Sequence, residues 1–454
     1  MGVEFLMKKL KKYSDKSAFI FHDKIFYYTD IIQLIEQWTE YINKKRIEPG
    51  SVVSLTGDYS PESIGLVIAL IMNNNIIVPL THLVQANFDQ FFRISHTSYI
   101  INLLDNHNEL IIKNANPFQN SILKQLIDKK HPGLILFTSG STGTPKAVAH
   151  DFNRLLSKFE NADKGFKTLC FLLFDHIAGI DTYFYSLYSG GCLVFPISRT
   201  PGDICKLIEK YKIEVLPTSP TFLNLLMLSK QFENYDLSSL KIITFGSEKM
   251  PALLLNKLEE QFKNVRFIQK YGLTELGSPS SKSKKDESGW IKVDSEHFKT
   301  KIIDNILYVK SKSAMLGYLN APDPFTEDGW FNTGDRVVVD GDYIKILGRE
   351  SELINIGGEK VWPAEVEEVI QMMPEVEDVV VRGLPNSITG QIVEAVVKLK
   401  NNETLSEFRK KMRAFCKDRL IHYQIPQKVL ITGKPLHGGR FKKMRSFMTT
   451  DAIR

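Results

Sequence analysis

Residues that can grip a polyanion crowd into one stretch, Leu134 to Lys146, which reads Leu-Ile-Leu-Phe-Thr-Ser-Gly-Ser-Thr-Gly-Thr-Pro-Lys. An apolar run, Leu134 to Phe137, stops at a cluster of hydroxyls with two glycines, a proline and a lysine. That is the composition of a strand feeding a loop around a phosphate chain. Gly140 and Gly143 let backbone N–H groups approach an anion, while Thr138, Ser139, Ser141 and Thr142 add hydroxyl donors and Lys146 adds a mobile charge. The P-loop of ordinary NTPases fails on spacing, because Pro145 precedes the lysine and Ala147 follows it where Ser or Thr is required. A flexible linker would share the composition, so other chemistry-bearing runs must decide.

Five such runs follow. They are Asp175-His176-Ile177-Ala178-Gly179, Gly246-Ser247-Glu248, Tyr271-Gly272-Leu273-Thr274-Glu275, Trp330-Phe331-Asn332-Thr333-Gly334-Asp335, and a long segment from Gly348-Arg349 to Glu367. Each has a bland reading. A lone histidine is more often a satisfied core residue, Asp175 and Asp181 can be helix-start carboxylates, Tyr-Gly-x-Thr-Glu can be a strand end with a helix cap, and Thr-Gly-Asp makes an Asx-type turn.

The elements that must position these runs are legible from hydrophobic pattern. Phe19 to Tyr28 reads as strands around a turn, Ile31 to Ile42 as a helix, Ser51 to Leu55 as a strand, and Ile64 to Met72 as a buried helix before the strand Ile76 to Leu80. Beyond Lys146, strands near Leu169–Phe174, Cys192–Pro196, Glu214–Pro217, Ile242–Phe245 and Val265–Gln269 alternate with helix-length segments such as Ile204–Tyr211 and Ala252–Phe262. Such alternation predicts a parallel sheet with ligands at the carboxyl ends of its strands, where three of the runs fall. Ser280 to Glu287 reads as an exposed loop, and a β-rich region holding Gly317-Tyr318-Leu319-Asn320 and Asp335 follows it. From Pro363 an amphipathic helix, strands around Val379 and Ile392 and a helix from Leu405 to Phe415 make a small α+β unit. The fold class expected is α/β: a large N-terminal domain, 1–350, of mixed and parallel sheets with flanking helices plus a β-rich subdomain, and a small mobile C-terminal lid, 351–454.

Composition narrows the partners. A chain of 454 residues exceeds what one core usually serves, and 43% hydrophobic with 24% charged residues is ordinary for a globular protein. Net charge is +6, and the basic runs Lys8–Lys12 and Lys282–Lys285 read as solvated faces, so no nucleic-acid partner is expected. Cys170, Cys192, Cys205 and Cys416 lack metal-ligand spacing and read as free thiols of a reducing compartment. The N-terminus lacks the apolar run of a signal peptide, no segment approaches a membrane span, and Leu6 stands where a myristoylation motif wants Ser or Thr. A cytoplasmic location is the expectation; oligomeric state is not legible.

Taken in order, Thr-Ser-Gly-Ser-Thr-Gly-Thr-Pro-Lys, the His176 segment, Gly246-Ser247-Glu248, Tyr-Gly-Leu-Thr-Glu, Trp-Phe-Asn-Thr-Gly-Asp and the Gly348–Glu367 segment resemble the motifs of the acyl-adenylate-forming superfamily: acyl- and aryl-CoA synthetases, adenylation domains and beetle luciferases. The resemblance runs from Leu134 to Arg445. It implies that a carboxylic acid is activated by Mg·ATP to an acyl-adenylate with release of pyrophosphate, and that a thiol, from CoA or from the phosphopantetheine of a carrier protein in trans, displaces AMP. It also implies the roles. Thr138 to Gly143 and Lys146 hold the polyphosphate, Tyr271 and Gly272 face adenine, and Thr274 offers its hydroxyl to a phosphate oxygen. Glu275 ligates Mg²⁺, Asp335 takes the ribose hydroxyls, and Arg349 reaches ribose or phosphate. His176 gates an acyl pocket lined by Gly179, Thr218 to Pro220 and Gly246 to Glu248, the backbone of Gly246, Ser247 and Glu248 also brushes the adenine of the nucleotide cofactor, and Ser351 is the hinge, where relatives commonly carry Asp or Lys.

One motif departs. The superfamily's C-terminal Gly-Lys, whose lysine stabilises charge on the α-phosphate, is replaced here by Gly438-Gly439-Arg440-Phe441-Lys442-Lys443. Alignment on the glycine puts Arg440 in the lysine's place, and sliding the loop supplies Lys442. The exchange of Lys for Arg is not conservative. Three outcomes stay open: adenylation through Lys442, slower adenylation through Arg440, or a lid serving the second half-reaction only. Two further alternatives are an amino-acid substrate, with Asp175 on its ammonium, and a degenerate nucleotide-binding protein.

Overall fold

The computed structural model describes residues 2–104, 109–112, 120–138, 144–277, 281–283, 289–293 and 297–444. Two seven-stranded sheets form its body. In the first, Arg266–Lys270, Ile242–Gly246, Val215–Thr218, Lys167–Leu169, Cys192–Val194 and Ser17–Phe21 run parallel in that order, and Lys24–Tyr27 closes the edge antiparallel. In the second, Ile76–Leu80, Val52–Thr56 and Tyr99–Asn102 are parallel, while Gly133–Thr138 turns back on Lys146–Asp151 as an antiparallel pair.

Between the sheets lie three helices, Tyr28–Lys44, Pro61–Met72 and Ile177–Ser189, whose buried side chains share one core with Phe19 of the first sheet and Val53, Leu55, Ile77 and Leu134 of the second. The middle helix is apolar all round, as an element enclosed by protein must be. Pro61 sits at its first turn and Ser60 and Ser63 cap it reciprocally, Ser60 Oγ accepting from the Ser63 amide at 3.1 Å.

The β-rich region is a six-stranded antiparallel sheet that includes Phe331–Asp340 and Tyr343–Arg349. Ser281–Ser283 is one of its strands. That corrects the expected loop at these positions; the rest of Ser280 to Glu287 lies outside the described residues. The last unit has its own core, built only from residues between Ile354 and Ile431. Its strands Val376–Asn386 and Gly390–Leu399 form a long hairpin, joined by Lys428–Ile431 and backed by the helices Pro363–Gln371 and Leu405–Lys417. All four cysteines are free and buried. Among the described residues no helix is long and apolar enough to cross a membrane.

Candidate active site

Lys167–Leu169 is shorter than its apolar run suggested. The strand expected over Leu169–Phe174 stops at Leu169: Cys170 N–H still donates to Val194 O at 2.8 Å, after which the chain leaves the sheet, with Phe171, Leu173 and Phe174 buried by tertiary packing instead. That departure delivers Asp175 and His176 to the start of the helix Ile177–Ser189, whose cap is His176: its Nδ1 accepts from the Ala178 amide at 3.3 Å. Gly179, in the first turn, lies so close to the preceding loop that an added Cβ would stand 1.8 Å from the Leu173 carbonyl oxygen.

A hairpin from the C-terminal unit meets this helix start. Residues Leu436 to Met444 fold back on themselves, with Met444 N–H donating to Leu436 O at 3.0 Å, Gly438 N–H to Lys442 O at 3.0 Å and Phe441 N–H to Gly438 O at 2.9 Å. The three residues at its tip dock separately. Arg440 Nη2 reaches Asp175 Oδ2 at 2.6 Å, the Phe441 ring packs on Phe171 and Phe222, and Lys442 Nζ lies 3.2 Å from His176 Nε2. Backbone bonds fasten the tip: Ser219 Oγ donates to Phe441 O at 2.9 Å, and Lys443 N–H donates to Glu248 Oε1 at 2.7 Å. Glu248 Oε2 accepts from Thr221 Oγ1 at 2.6 Å, so its carboxylate ties the helix Pro220–Ser229 to the incoming hairpin. Arg440 and Lys442 thus both reach the large domain, on different partners.

The electrostatics of the pair are set by proximity and burial. Because His176 Nδ1 accepts a backbone amide, the neutral ring carries its proton on Nε2, pointing at Lys442. Burial, aided by the Lys442 and Arg440 charges, pushes His176 well below the ordinary histidine range. Burial likewise lowers Lys442, with Arg440 and Arg349 adding to the shift and Glu248 opposing it. Burial thus disfavours charge on both groups, and an arriving anion would favour the charged form of Lys442 and draw it over.

A second cluster collects on the strand ends. Tyr271 follows the strand Arg266–Lys270, with Gly272 next in the connection, and its phenol donates to Asp335 Oδ2 at 2.8 Å. The Tyr271 ring is buried in the β-rich core. Asp335 and Arg349 are register partners on adjacent strands, with Nε 3.4 Å from Oδ1. Burial raises the Asp335 carboxyl, and Arg349 and the Tyr271 phenol oppose it. Gly246 and Ser247 leave the neighbouring strand sharply: an added Cβ on Gly246 would meet Lys270 O at 2.6 Å, and Ser247 adopts φ +71°.

Thr138 and Lys146 face each other as the last register pair of their antiparallel strands; Ser139, Gly140, Ser141, Thr142 and Gly143 lie outside the described residues. The Lys146 ammonium stands 5.0 Å from the centre of the Tyr318 ring, and the Tyr318 phenol donates to Glu275 Oε1 at 2.8 Å. Among the described residues no three His, Cys, Asp or Glu side chains gather as a metal cage. A single carboxylate such as Glu275 fits Mg²⁺ that arrives on a nucleotide, since that ion prefers phosphate and water ligands.

One residue was missed. His150 is fully buried, and its Nε2 lies 2.7 Å from the Thr274 carbonyl oxygen; burial pushes its pKa down to about 4, so the neutral ring donates and fixes the Thr274–Glu275 bend. The signal was period two, because Lys146, Val148 and His150 share one face of a strand. Ser351 sits exposed in the turn Glu350–Glu352, between the strand ending at Arg349 and Ile354–Ile356.

Replacing Tyr271 by phenylalanine is expected to weaken ATP binding roughly tenfold, since a buried bond to a carboxylate is lost. Calorimetric titration checks this, and an unchanged Kd would remove Tyr271 from the nucleotide site.

Comparison with known proteins gives the family. The model of AMP-binding enzymes matches residues 6–319, and that of the AMP-binding enzyme C-terminal domain matches residues 365–438. The chain is 27% identical over 340 residues to 4-coumarate–CoA ligase 4 of Arabidopsis thaliana, covering 67% of this chain and 59% of the plant protein. It is 24% identical over 461 residues to 2-succinylbenzoate–CoA ligase of Enterococcus faecalis, covering 94% of this chain and 93% of that one. Its fold is shared with the anthranilate CoA ligase AuaEII in complex with anthranoyl-AMP, at TM-score 0.83 and 20% identity, over 100% of this chain and 97% of that one. With both family models matched in order over the sheets and the C-terminal unit just described, this chain belongs to the AMP-binding enzymes, the acyl-adenylate-forming superfamily.

Proposed function

We propose that this chain is an AMP-forming acid–thiol ligase. The observation that carries the reading is the delivery of Lys442 from the C-terminal unit to His176, at the carboxyl end of the parallel sheet that also leads to Tyr271, whose phenol reaches Asp335 of the antiparallel sheet. A substrate carboxylate oxygen attacks the α-phosphorus of Mg·ATP and pyrophosphate leaves with the electron pair of the broken P–O bond. Lys442, drawn from its buried seat, compensates charge growing on the α-phosphate. Arg349 and Asp335 hold the ribose, Lys146 and the loop before it hold the β- and γ-phosphates, and Thr274 and Glu275 hold the α-phosphate and Mg²⁺.

In the second half-reaction the thiol gives up its proton to solvent, the thiolate sulfur attacks the acyl carbonyl carbon, and AMP leaves with the electron pair of the broken C–O bond. The hairpin covers the His176 end of the site, so it must withdraw for a thiol to enter; rotation about Ser351 supplies that motion. CoA is the favoured thiol because the relatives with curated activities are CoA ligases, and a phosphopantetheine-bearing carrier is the alternative. The acid lacks an α-ammonium in this reading, since Asp175, the carboxylate beside His176, is already held by Arg440 and Thr81.

The test is carboxylate-dependent ATP–pyrophosphate exchange with Mg²⁺, run over aromatic, short, medium and long aliphatic acids and amino acids, with CoA added to any hit. Exchange with one acid class followed by thioester formation supports the ligase. ATP binding with silence across the panel would move the chain to a binding role.

A further inference from the structure

The hairpin tip carries two cations, and only one of them faces His176. Arg440 is committed elsewhere, to Asp175, a carboxylate only 4% exposed whose Oδ2 also accepts from the buried Thr81 hydroxyl at 2.9 Å. Asp175 and Thr81 belong to the large domain, and Arg440 crosses to them from the C-terminal unit. A second ion pair across this boundary among the described residues, Lys249 with Glu368 at 3.5 Å, has both side chains about a quarter exposed and contributes little; Arg440 is itself about a third exposed, but the Asp175 carboxylate it covers is buried and would be left uncompensated without it. Separation of the hairpin is therefore costliest at Asp175.

The seat of Arg440 also sets the aim of Lys442. Bonds from Phe441 N–H to Gly438 O and from Gly438 N–H to Lys442 O brace the tip, and Phe441 between the two cations holds φ +51°, which turns them toward different partners. We propose that Arg440 is a positioning residue and Asp175 its socket: their ion pair holds the hairpin where Lys442 meets His176, serving adenylation and released for thioester formation. The inference rests on the ligase reading.

Three variants test it: Arg440→Gln, whose side chain is partly exposed and tolerates change, Asp175→Asn, and the double variant. Pyrophosphate exchange is expected to fall roughly tenfold or more in each, in kcat rather than in KM for ATP, and the double variant is expected to be no worse than the poorer single one. Thioester formation from added acyl-adenylate and CoA should stay within about threefold of the parent, because that step does not use the closed hairpin. The Lys443 amide, donated to Glu248 across the boundary, supplies a readout independent of activity: its hydrogen–deuterium exchange in the ligand-free full chain should speed up roughly tenfold in all three. Unchanged Lys443 protection, equal loss in both half-reactions, or a double variant whose loss is the product of the singles would each overturn the proposal. Silence of the parent with every acid would overturn the ligase reading alone, and the amide exchange would still judge the latch.

Discussion

Lys442→Met is expected to lower pyrophosphate exchange by roughly 10²–10³-fold, the usual cost of removing one preorganised group from a developing charge. Methionine keeps most of the length and apolar contact of the lysine stem, so the hairpin should still seat and ATP affinity should change little. The loss should appear in kcat, with thioester formation from added acyl-adenylate preserved. Because burial lowers the Lys442 pKa, its ammonium is present at low pH and is lost as pH rises through that lowered value. Exchange should therefore decline on the alkaline side at a lower pH than an ordinary lysine would give, and Lys442→Arg should push that limb upward. Wild-type exchange in Lys442→Met would transfer the catalytic role to Arg440.

Gly179→Ala should be the most damaging glycine-to-alanine exchange among the described residues. The added carbon would stand 1.8 Å from the Leu173 carbonyl oxygen, inside any tolerable contact, and the obstacle is backbone rather than a movable side chain. Either the helix Ile177–Ser189 shifts or the Leu173 loop does, at about 3 kcal/mol or more. His176 caps that helix and Asp175 precedes it, so the shift also pulls both partners of the hairpin tip out of place. Denaturant unfolding measures the first effect and exchange kinetics the second. A variant within about 0.5 kcal/mol of the parent would show that the helix start is not held as tightly as this approach requires.

How legible the molecule was depends on whether information is local. Strands such as Val52–Thr56 and Ile76–Leu80 and the buried helix Pro61–Met72 announce themselves as short apolar runs between turn residues. The run after Leu169 misleads for the same reason, since Phe171 and Phe174 are apolar because they pack, not because they pair. Roles decided across long separations were not legible. Nothing near Asp175 announces a partner 265 residues away, and the choice between Arg440 and Lys442 turns on the twist of one hairpin rather than on spacing. His150 acts through a backbone carbonyl 124 residues on, a contact that composition cannot flag.

The edge of the first sheet bears on how the chain is made. Phe19 pairs with Leu193 across a parallel ladder, and the hairpin that holds it has no other neighbour in that sheet. At ribosomal rates the partner strand emerges roughly 10–30 s after the hairpin does. Through that interval Ala18 to Ile20 present a hydrophobic ribbon with unpaired backbone, the kind of surface that holdase chaperones cover and that other nascent chains can join. Yield of this protein in a cell should therefore depend on translation speed and chaperone supply more than its finished stability would suggest.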